Sequence, residues 1–255
     1  MEKKDINLLG TNIKYIEQGE GKPVVILHGW GANIESIMPI VNSMPKGYKI
    51  YAYDAPGFGD SEDPKDVLST WDYELYLEEF LNKKKIEKAV FIGHSFGGKT
   101  LTIFASKHKE KIEKLVLLDA SGVIPKRTMS YYFKVYSFKF LRFLYTKLFF
   151  WNNNTDGIKK FYEKFGSDDY QASQGVMRKT FVKVVNESTR ECFKDIEAET
   201  LLIWGENDDA TPLYMANVFE KEIKNSGLVV LKDAGHFSYI DDYGTFNAVI
   251  NSFLD

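Results

Sequence analysis

Ala89-Val90-Phe91-Ile92-Gly93-His94-Ser95-Phe96-Gly97-Gly98 decides how the rest of the sequence is read. Four apolar residues suited to a buried strand run into a glycine-bracketed serine, and a helix-like stretch, Lys99 to His108, follows at once. This is the strand-turn-helix context in which Gly-x-Ser-x-Gly is more than a glycine-rich turn. A serine on so sharp a turn takes a strained backbone conformation, and glycines two residues to either side remove the Cβ atoms that would collide with neighbouring backbone. The Ser95 hydroxyl is thereby pushed into the open as a candidate nucleophile. The backbone N–H of Phe96, at a helix N-terminus, can then stabilise a developing oxyanion.

Around this stretch, apolar runs alternate with helical ones: Val24 to Leu27, Lys49 to Tyr53, Leu115 to Leu118, Leu201 to Trp204 and Leu228 to Leu231. The pattern predicts an α/β fold, a mostly parallel central sheet built from βαβ units with helices on both faces. Apolar residues throughout each run, rather than in alternation, are what a doubly covered sheet requires. Ile6 to Leu9 and Ile13 to Gln18 add a leading hairpin. The alternation stops after Leu118 and resumes at Leu201, leaving about eighty residues where one short crossover suffices. The expected organisation is therefore a core of residues 1–119 and 197–255, with 120–196 inserted as a helical lid over the carboxyl edge of the sheet, where open α/β sheets bind ligands. Within the insertion, Thr128 to Trp151 and Asp169 to Phe193 read as helical.

Bulk composition narrows the function classes. A net charge of −3 gives no reason to expect nucleic-acid binding, and a single cysteine, Cys192, excludes an internal disulfide or a cysteine-based metal cluster. Cys192 is expected to be a small packing residue. The first ten residues carry charge but no apolar segment of the kind a secretory signal needs, so a cytoplasmic location is the default expectation. No metal or organic cofactor is implied.

Two further loops complete the candidate site. His28-Gly29-Trp30-Gly31 follows the strand ending at Leu27, and its position matches the loop that offers a second oxyanion donor, assigned to the backbone N–H of Trp30. His28 itself reads as a structural hydrogen-bonding group, since it precedes the serine. Ala234-Gly235-His236-Phe237 follows the last core strand and precedes a helix expected from Tyr243 to Leu254, which suits His236 to general-base work. His94 lies inside the turn, and His108 lies in a lysine-rich stretch expected to face solvent. An acid to orient the base is expected in Gly205-Glu206-Asn207-Asp208-Asp209, at the end of another strand, with Asp119 in reserve at the end of Leu115 to Leu118. Asp209 also suits a turn or cap before a helix starting near Pro212.

These ordered motifs, together with Tyr53-Asp54-Ala55-Pro56-Gly57-Phe58-Gly59-Asp60-Ser61, resemble the α/β-hydrolase fold superfamily over nearly the full length. The resemblance implies a Ser95–Asp208–His236 triad, with Asp208 chosen because Gly205 to Asp208 matches the family's Gly-x-x-Asp acid pattern. It also implies that the loop from Asp54 is structural. A serine at residue 95 argues against the dehalogenase and epoxide-hydrolase branches, which carry aspartate there. The His28-Gly29-Trp30-Gly31 loop is similar to that of pimeloyl-acyl-carrier methyl esterases and departs from the His-Gly-Gly-Pro-Gly loop of proline iminopeptidases. The expected reaction is hydrolysis of a small-molecule carboxylic ester or thioester with a largely apolar acyl group. Carbon–carbon bond hydrolysis of a dienoic diketone and a slow-turnover ligand receptor stand as alternatives.

The insertion has a chemistry of its own. Eleven of the twenty-one residues from Tyr131 to Trp151 are aromatic, and Ala120 to Thr155 holds six Lys or Arg and no acid. On a helix, Arg127, Lys134, Lys139 and Arg142 fall within an arc of about 140°. One reading gives this face an anionic partner, a membrane surface or an acidic carrier protein; the other makes it the solvated side of a packed lid helix.

Overall fold

A computed structural model describes residues 2–125 and 172–255, together with positions 136, 137, 140 and 143. The aromatic and basic stretch from Arg127 to Trp151, with its proposed helix and basic face, lies outside the described residues apart from those four positions.

Eight strands form one sheet in the order β1-β2-β4-β3-β5-β6-β7-β8. They are β1 (Lys4–Leu8), β2 (Thr11–Gly19), β3 (Lys22–Leu27), β4 (Tyr48–Tyr53), β5 (Ala89–His94), β6 (Ile112–Leu118), β7 (Thr200–Gly205) and β8 (Ser226–Leu231). β1 and β2 make the antiparallel hairpin, β2 pairs antiparallel with β4, and every later pairing is parallel. The described helices are α1 (Met38–Asn42), α2 (Thr70–Lys84), α3 (Phe96–Lys107), α4 (Gly175–Val185), α5 (Leu213–Glu222), α6 (Ser238–Asp241) and α7 (Tyr243–Leu254).

The period-two geometry of a strand explains why the apolar runs are unbroken. Val25, Leu27, Phe91, Leu115, Leu117, Leu202 and Trp204 point to one face, where they meet Leu77 and Phe80 of α2, Leu101 and Phe104 of α3, and Phe219 of α5. Val24, Ile26, Val90, Ile92, Val116, Leu118 and Ile203 point to the other, against Ile40 of α1 and Phe246 and Ile250 of α7. Only the edges relax this rule: β8 pairs on one side and leaves Val230 exposed, so apolar content there overstates burial.

Three expectations need correction. The helix after Ser95 begins at Phe96 rather than Lys99, because Ser95 is itself the residue preceding the helix and its carbonyl accepts the Lys99 N–H at 3.0 Å. The helical reading of Asp169 to Phe193 breaks in two, since α4 ends at Val185 and a separate 3-10 turn spans Arg190–Asp195. The Glu187 carbonyl in the intervening turn is held by Lys99 at 2.7 Å and the Gly122 carbonyl by the Thr189 N–H at 2.9 Å, so this backbone bonds outward to the core. His108 does not face solvent: its ring stacks on Phe104 at 4.6 Å, and Nε2 lies 3.1 Å from the buried Glu74 carboxylate.

α3 lies so close to the sheet that only glycine fits at one point. A Cβ on Gly97 would sit 2.5 Å from the Leu27 carbonyl oxygen and 2.7 Å from that of His28. Backbone carbonyls cannot rotate away as a side chain can, so Gly97→Ala is expected to destabilise the fold by about 1–3 kcal/mol. Urea unfolding of the variant against the parent measures this, with a shifted midpoint at unchanged slope as the expected result.

Candidate active site

Ser95 has φ 49° and ψ −111°, in the left-handed half of backbone space that a serine rarely enters. Its N–H bonds the Leu118 carbonyl at 2.9 Å and its own carbonyl accepts from Lys99 and Ser121, so the surroundings hold the strained conformation in place. The bracketing glycines are needed sterically: a Cβ on Gly93 would meet the Gly98 nitrogen at 2.6 Å.

The loops after β7 and β8 carry the other two groups and are stitched to each other. Glu206 N–H bonds the Leu231 carbonyl at 2.9 Å and Asn207 N–H the Ala234 carbonyl at 2.8 Å. A Cβ on Gly205 would fall 2.1 Å from the Gly235 carbonyl oxygen, so the two loops pack without space for a side chain. This brings together three residues far apart in sequence. His236 Nε2 lies 3.0 Å from Ser95 Oγ, and His236 Nδ1 lies 2.9 Å from Asp208 Oδ2.

Asp208 is built to stay ionised. Oδ1 accepts the N–H groups of Ala210 and Thr211 at 2.9 and 2.8 Å, and Oδ2 accepts the Thr211 hydroxyl at 2.6 Å as well as His236. Burial alone raises its pKa, but the donors from His236 and Thr211 outweigh burial and the net shift is downward. For His236 burial acts to lower the pKa, while the Asp208 hydrogen bond and charge prevail and raise it. With Asp208 accepting Nδ1–H, the neutral imidazole presents Nε2 as an acceptor to Ser95.

The Gly29 backbone lies over the serine, a Cβ there being 3.2 Å from Ser95 Cβ. Among the described residues no loop or turn carbonyl accepts the N–H of Trp30 or of Phe96, the two donors expected for an oxyanion. The Trp30 ring packs edge-on against Phe96 and Phe58 at 5.4 and 4.8 Å. Phe58 belongs to the Asp54 loop, and the fully buried Asp54 carboxylate ties that loop to this one by accepting Ile34 N–H at 2.7 Å and Asp60 N–H at 3.1 Å. His28 is structural: Nδ1 donates to the Gly29 carbonyl and Nε2 accepts the Ala55 N–H.

Asp119, the reserve acid, does not reach the imidazole. Its carboxylate accepts Gly205 N–H at 2.8 Å, Ser238 N–H at 3.2 Å and the Ser238 hydroxyl at 2.6 Å, which pins the strand before Asp208 to the helix after His236. Burial pushes its pKa up to about 7 despite these donors. Asp209 is exposed and has no contact with the imidazole among the described residues. His94 was legible only as part of the motif, yet its Nε2–H holds the His236 carbonyl at 2.8 Å. Thr211 and Lys99 were missed as well; the one available signal was a lysine one helical turn after the serine in an otherwise apolar helix.

A cavity of about 330 Å³ opens at Ser95 and His236 and is bounded by β-strand loops below and α4 above, with Phe181, Val184 and Val185 in its wall.

Residues 22–243 match the family described as alpha/beta hydrolase fold. The chain belongs to that family. It is a hydrolase of that fold, and its relatives span several chemistries. It is 29% identical to the 2-hydroxy-6-oxononadienedioate/2-hydroxy-6-oxononatrienedioate hydrolase 1 of Pseudomonas putida, over 96% of this chain and 93% of the relative. It is 22% identical to lipase 1 of Psychrobacter immobilis, over 99% of this chain and 86% of the relative. Among solved structures, the esterase EaEST of Exiguobacterium antarcticum superposes with a TM-score of 0.76 at 23% identity, covering 98% of each chain. Among the described residues no helix is long and apolar enough to cross a membrane.

The pH dependence of catalysis follows from the raised pKa of His236. A base must be unprotonated, so kcat/KM is expected to rise with pH to a plateau, with its midpoint above the ordinary imidazole value of 6.5. Asp208→Asn removes the group that raises this pKa and leaves burial, so the midpoint should fall while the plateau drops by about 10³- to 10⁴-fold. Steady-state kinetics from pH 5 to 9 on both proteins check the direction; an unmoved midpoint would exclude His236 as the titrating base.

Proposed function

We propose that the chain is a serine hydrolase that cleaves a carboxylic ester, or a thioester, with a largely apolar acyl group. The observation that carries this reading is the unbroken hydrogen-bonded series Ser95 Oγ, His236, Asp208, at 3.0 and 2.9 Å, opening onto a cavity walled by Trp30, Phe96, Val123, Phe181 and Met215. Ser95 Oγ attacks the carbonyl carbon as His236 Nε2 takes its proton, and Asp208 stabilises the imidazolium that forms. The N–H groups of Trp30 and Phe96 hold the oxyanion. His236 then gives the proton to the departing alcohol or thiol, leaving an acyl-enzyme. Water, deprotonated by the same imidazole, attacks the acyl carbonyl and releases the acid and the free serine.

A second reading has a specific observation in its favour: the Pseudomonas putida relative is named for hydrolysis of 2-hydroxy-6-oxo dienoic diacids, and it aligns with nearly the whole chain. The same residues could then serve hydrolysis of a carbon–carbon bond beside a ketone. A panel of short p-nitrophenyl esters set against a 2-hydroxy-6-oxo dienoate separates the two, the proposed function requiring the higher kcat/KM on the esters.

Ser95→Ala is expected to lower ester turnover by at least about 10³-fold with no loss of thermal stability. In the parent, a fluorophosphonate should label Ser95 stoichiometrically and abolish multiple turnover, detected by intact-protein mass spectrometry. Labelling without any turnover of either substrate class would instead favour a ligand receptor.

A further inference from the structure

Lys99 stands one helical turn beyond Ser95 on α3 and is 4% exposed, yet it lines the same cavity. Its Nζ donates to two neutral acceptors, the carbonyls of Val184 and Glu187, both at 2.7 Å at the carboxyl end of α4. An ammonium has three donors, so one remains without a partner among the described residues. Among the described residues these two carbonyls are its hydrogen-bond partners and no carboxylate is paired with it. The one acidic group that acts on it, Glu187, turns its carboxylate to the backbone N–H and hydroxyl of Thr70, both at 2.8 Å.

A buried cation without a counter-ion is an expensive feature, because two carbonyl dipoles replace only part of its hydration. Helix capping at α4 explains the two carbonyl contacts but brings no carboxylate among the described residues into an ion pair with Lys99. Burial pulls the pKa down to about 8, so the group is still mainly an ammonium at pH 7. The charge therefore faces a largely apolar cavity during turnover, with one donor to spare.

We propose that Lys99 is a specificity residue that binds a carboxylate carried by the substrate at a point remote from the scissile carbonyl, making anionic half-esters of dicarboxylic acids preferred over neutral esters of equal length. This rests on the ester-hydrolysing reading for its kinetics but not for binding. An incoming carboxylate would accept the free N–H, supply the missing charge, and set the length of the apolar segment between Lys99 and Ser95. A neutral ester of the same length would leave the ammonium unpaired while excluding water from it.

Two measurements test the assignment. In the first, kcat/KM is compared for mono-p-nitrophenyl esters of dicarboxylic acids and for the methyl-terminated esters of matching chain length. The parent should favour the half-ester at its best chain length by about 10- to 100-fold, and Lys99→Gln, which keeps amide donors for the two carbonyls but loses the charge, should abolish that ratio. Lys99→Met, which loses the donors too, should abolish it equally, whereas a purely capping lysine would lower Tm in the Met variant and leave the ratio unmoved. In the second, Ser95→Ala is titrated calorimetrically with dicarboxylates and with monocarboxylates, with and without Lys99→Gln. Tighter binding of the dicarboxylate that vanishes with the charge supports the proposal; equal binding in all four combinations overturns it. If neither ester is turned over, the proposed function fails while the calorimetric arm still decides the carboxylate site.

Discussion

The close contact of α3 with the sheet is the constraint on which the rest depends. Gly97 presses against the carbonyls of Leu27 and His28, and Gly93 against the backbone of Gly97 and Gly98, so the chain reverses from β5 into α3 with no intervening loop. The reversal puts Ser95 at a positive φ and projects its hydroxyl above the sheet edge. It also sets the Gly29 backbone directly over the serine, a Cβ there being 3.2 Å from Ser95 Cβ. A looser packing of α3 would relieve the strain at Ser95.

Asp208 and His236 are positioned by a second contact, between Gly205 and Gly235, and distinguished by the different environments of two carboxylates. Asp208 has four donors and is held below the ordinary carboxylate range, whereas Asp119, fully buried with three, is pushed up to about 7. Asp208 is thus an ionised partner for the imidazole, and Asp119 a fastening between the strand before it and the helix after His236. The signs have consequences for stability. The raised pKa of His236 contributes stability that is complete below pH 6.5 and lost as pH rises through its folded value; the lowered pKa of Asp208 contributes stability present above 3.8 and lost as pH falls through its own. Asp119 runs with His236 and against Asp208, since its penalty grows as pH rises from the ordinary carboxylate range to about 7. Above the ordinary carboxylate range, rising pH therefore weakens the site through Asp119 first and His236 after it.

Much of this was legible in the chain because strands and tight turns leave local marks. Apolar runs such as Val24 to Leu27 announce burial on both faces, and Gly93 and Gly97 flanking Ser95 announce a turn that only small residues permit. The acid needed more than local pattern. Glu206, Asp208, Asp209 and Asp119 all stand near strand ends, and what separates them is which carboxylate the stitched loops aim at His236, a three-dimensional outcome that resemblance anticipated and composition could not. His108 shows the opposite failure. Neighbouring lysines suggest solvent, but Glu74 on α2 is fully buried beside it and holds the His108 ring at 3.1 Å, while Lys107 bonds it from the exposed side. Burial of charge depends on partners dozens of residues away, so it leaves no periodic trace.

The segment returning from the insertion packs on the core through Met177, Val184 and Phe193, and polar groups fasten it as well. Thr102 bonds Thr189 at 2.7 Å, the Leu68 N–H bonds Thr180 at 3.2 Å, Thr70 bonds Glu187, and Lys99 bonds two carbonyls of the same turn. Apolar packing tolerates sliding, whereas hydrogen bonds between buried groups fix direction and register, because a small displacement leaves a donor without an acceptor. α4 is accordingly locked at its carboxyl end, where Lys99 and Glu187 meet, while Phe181 and Val184 meet the cavity. A substrate group that bonds Lys99 would therefore be placed relative to Ser95 by a rigid helix on one side and a registered turn on the other. Such a frame discriminates by length and charge more sharply than an apolar pocket can, since an added methylene costs an apolar wall little but moves a carboxylate off its donor.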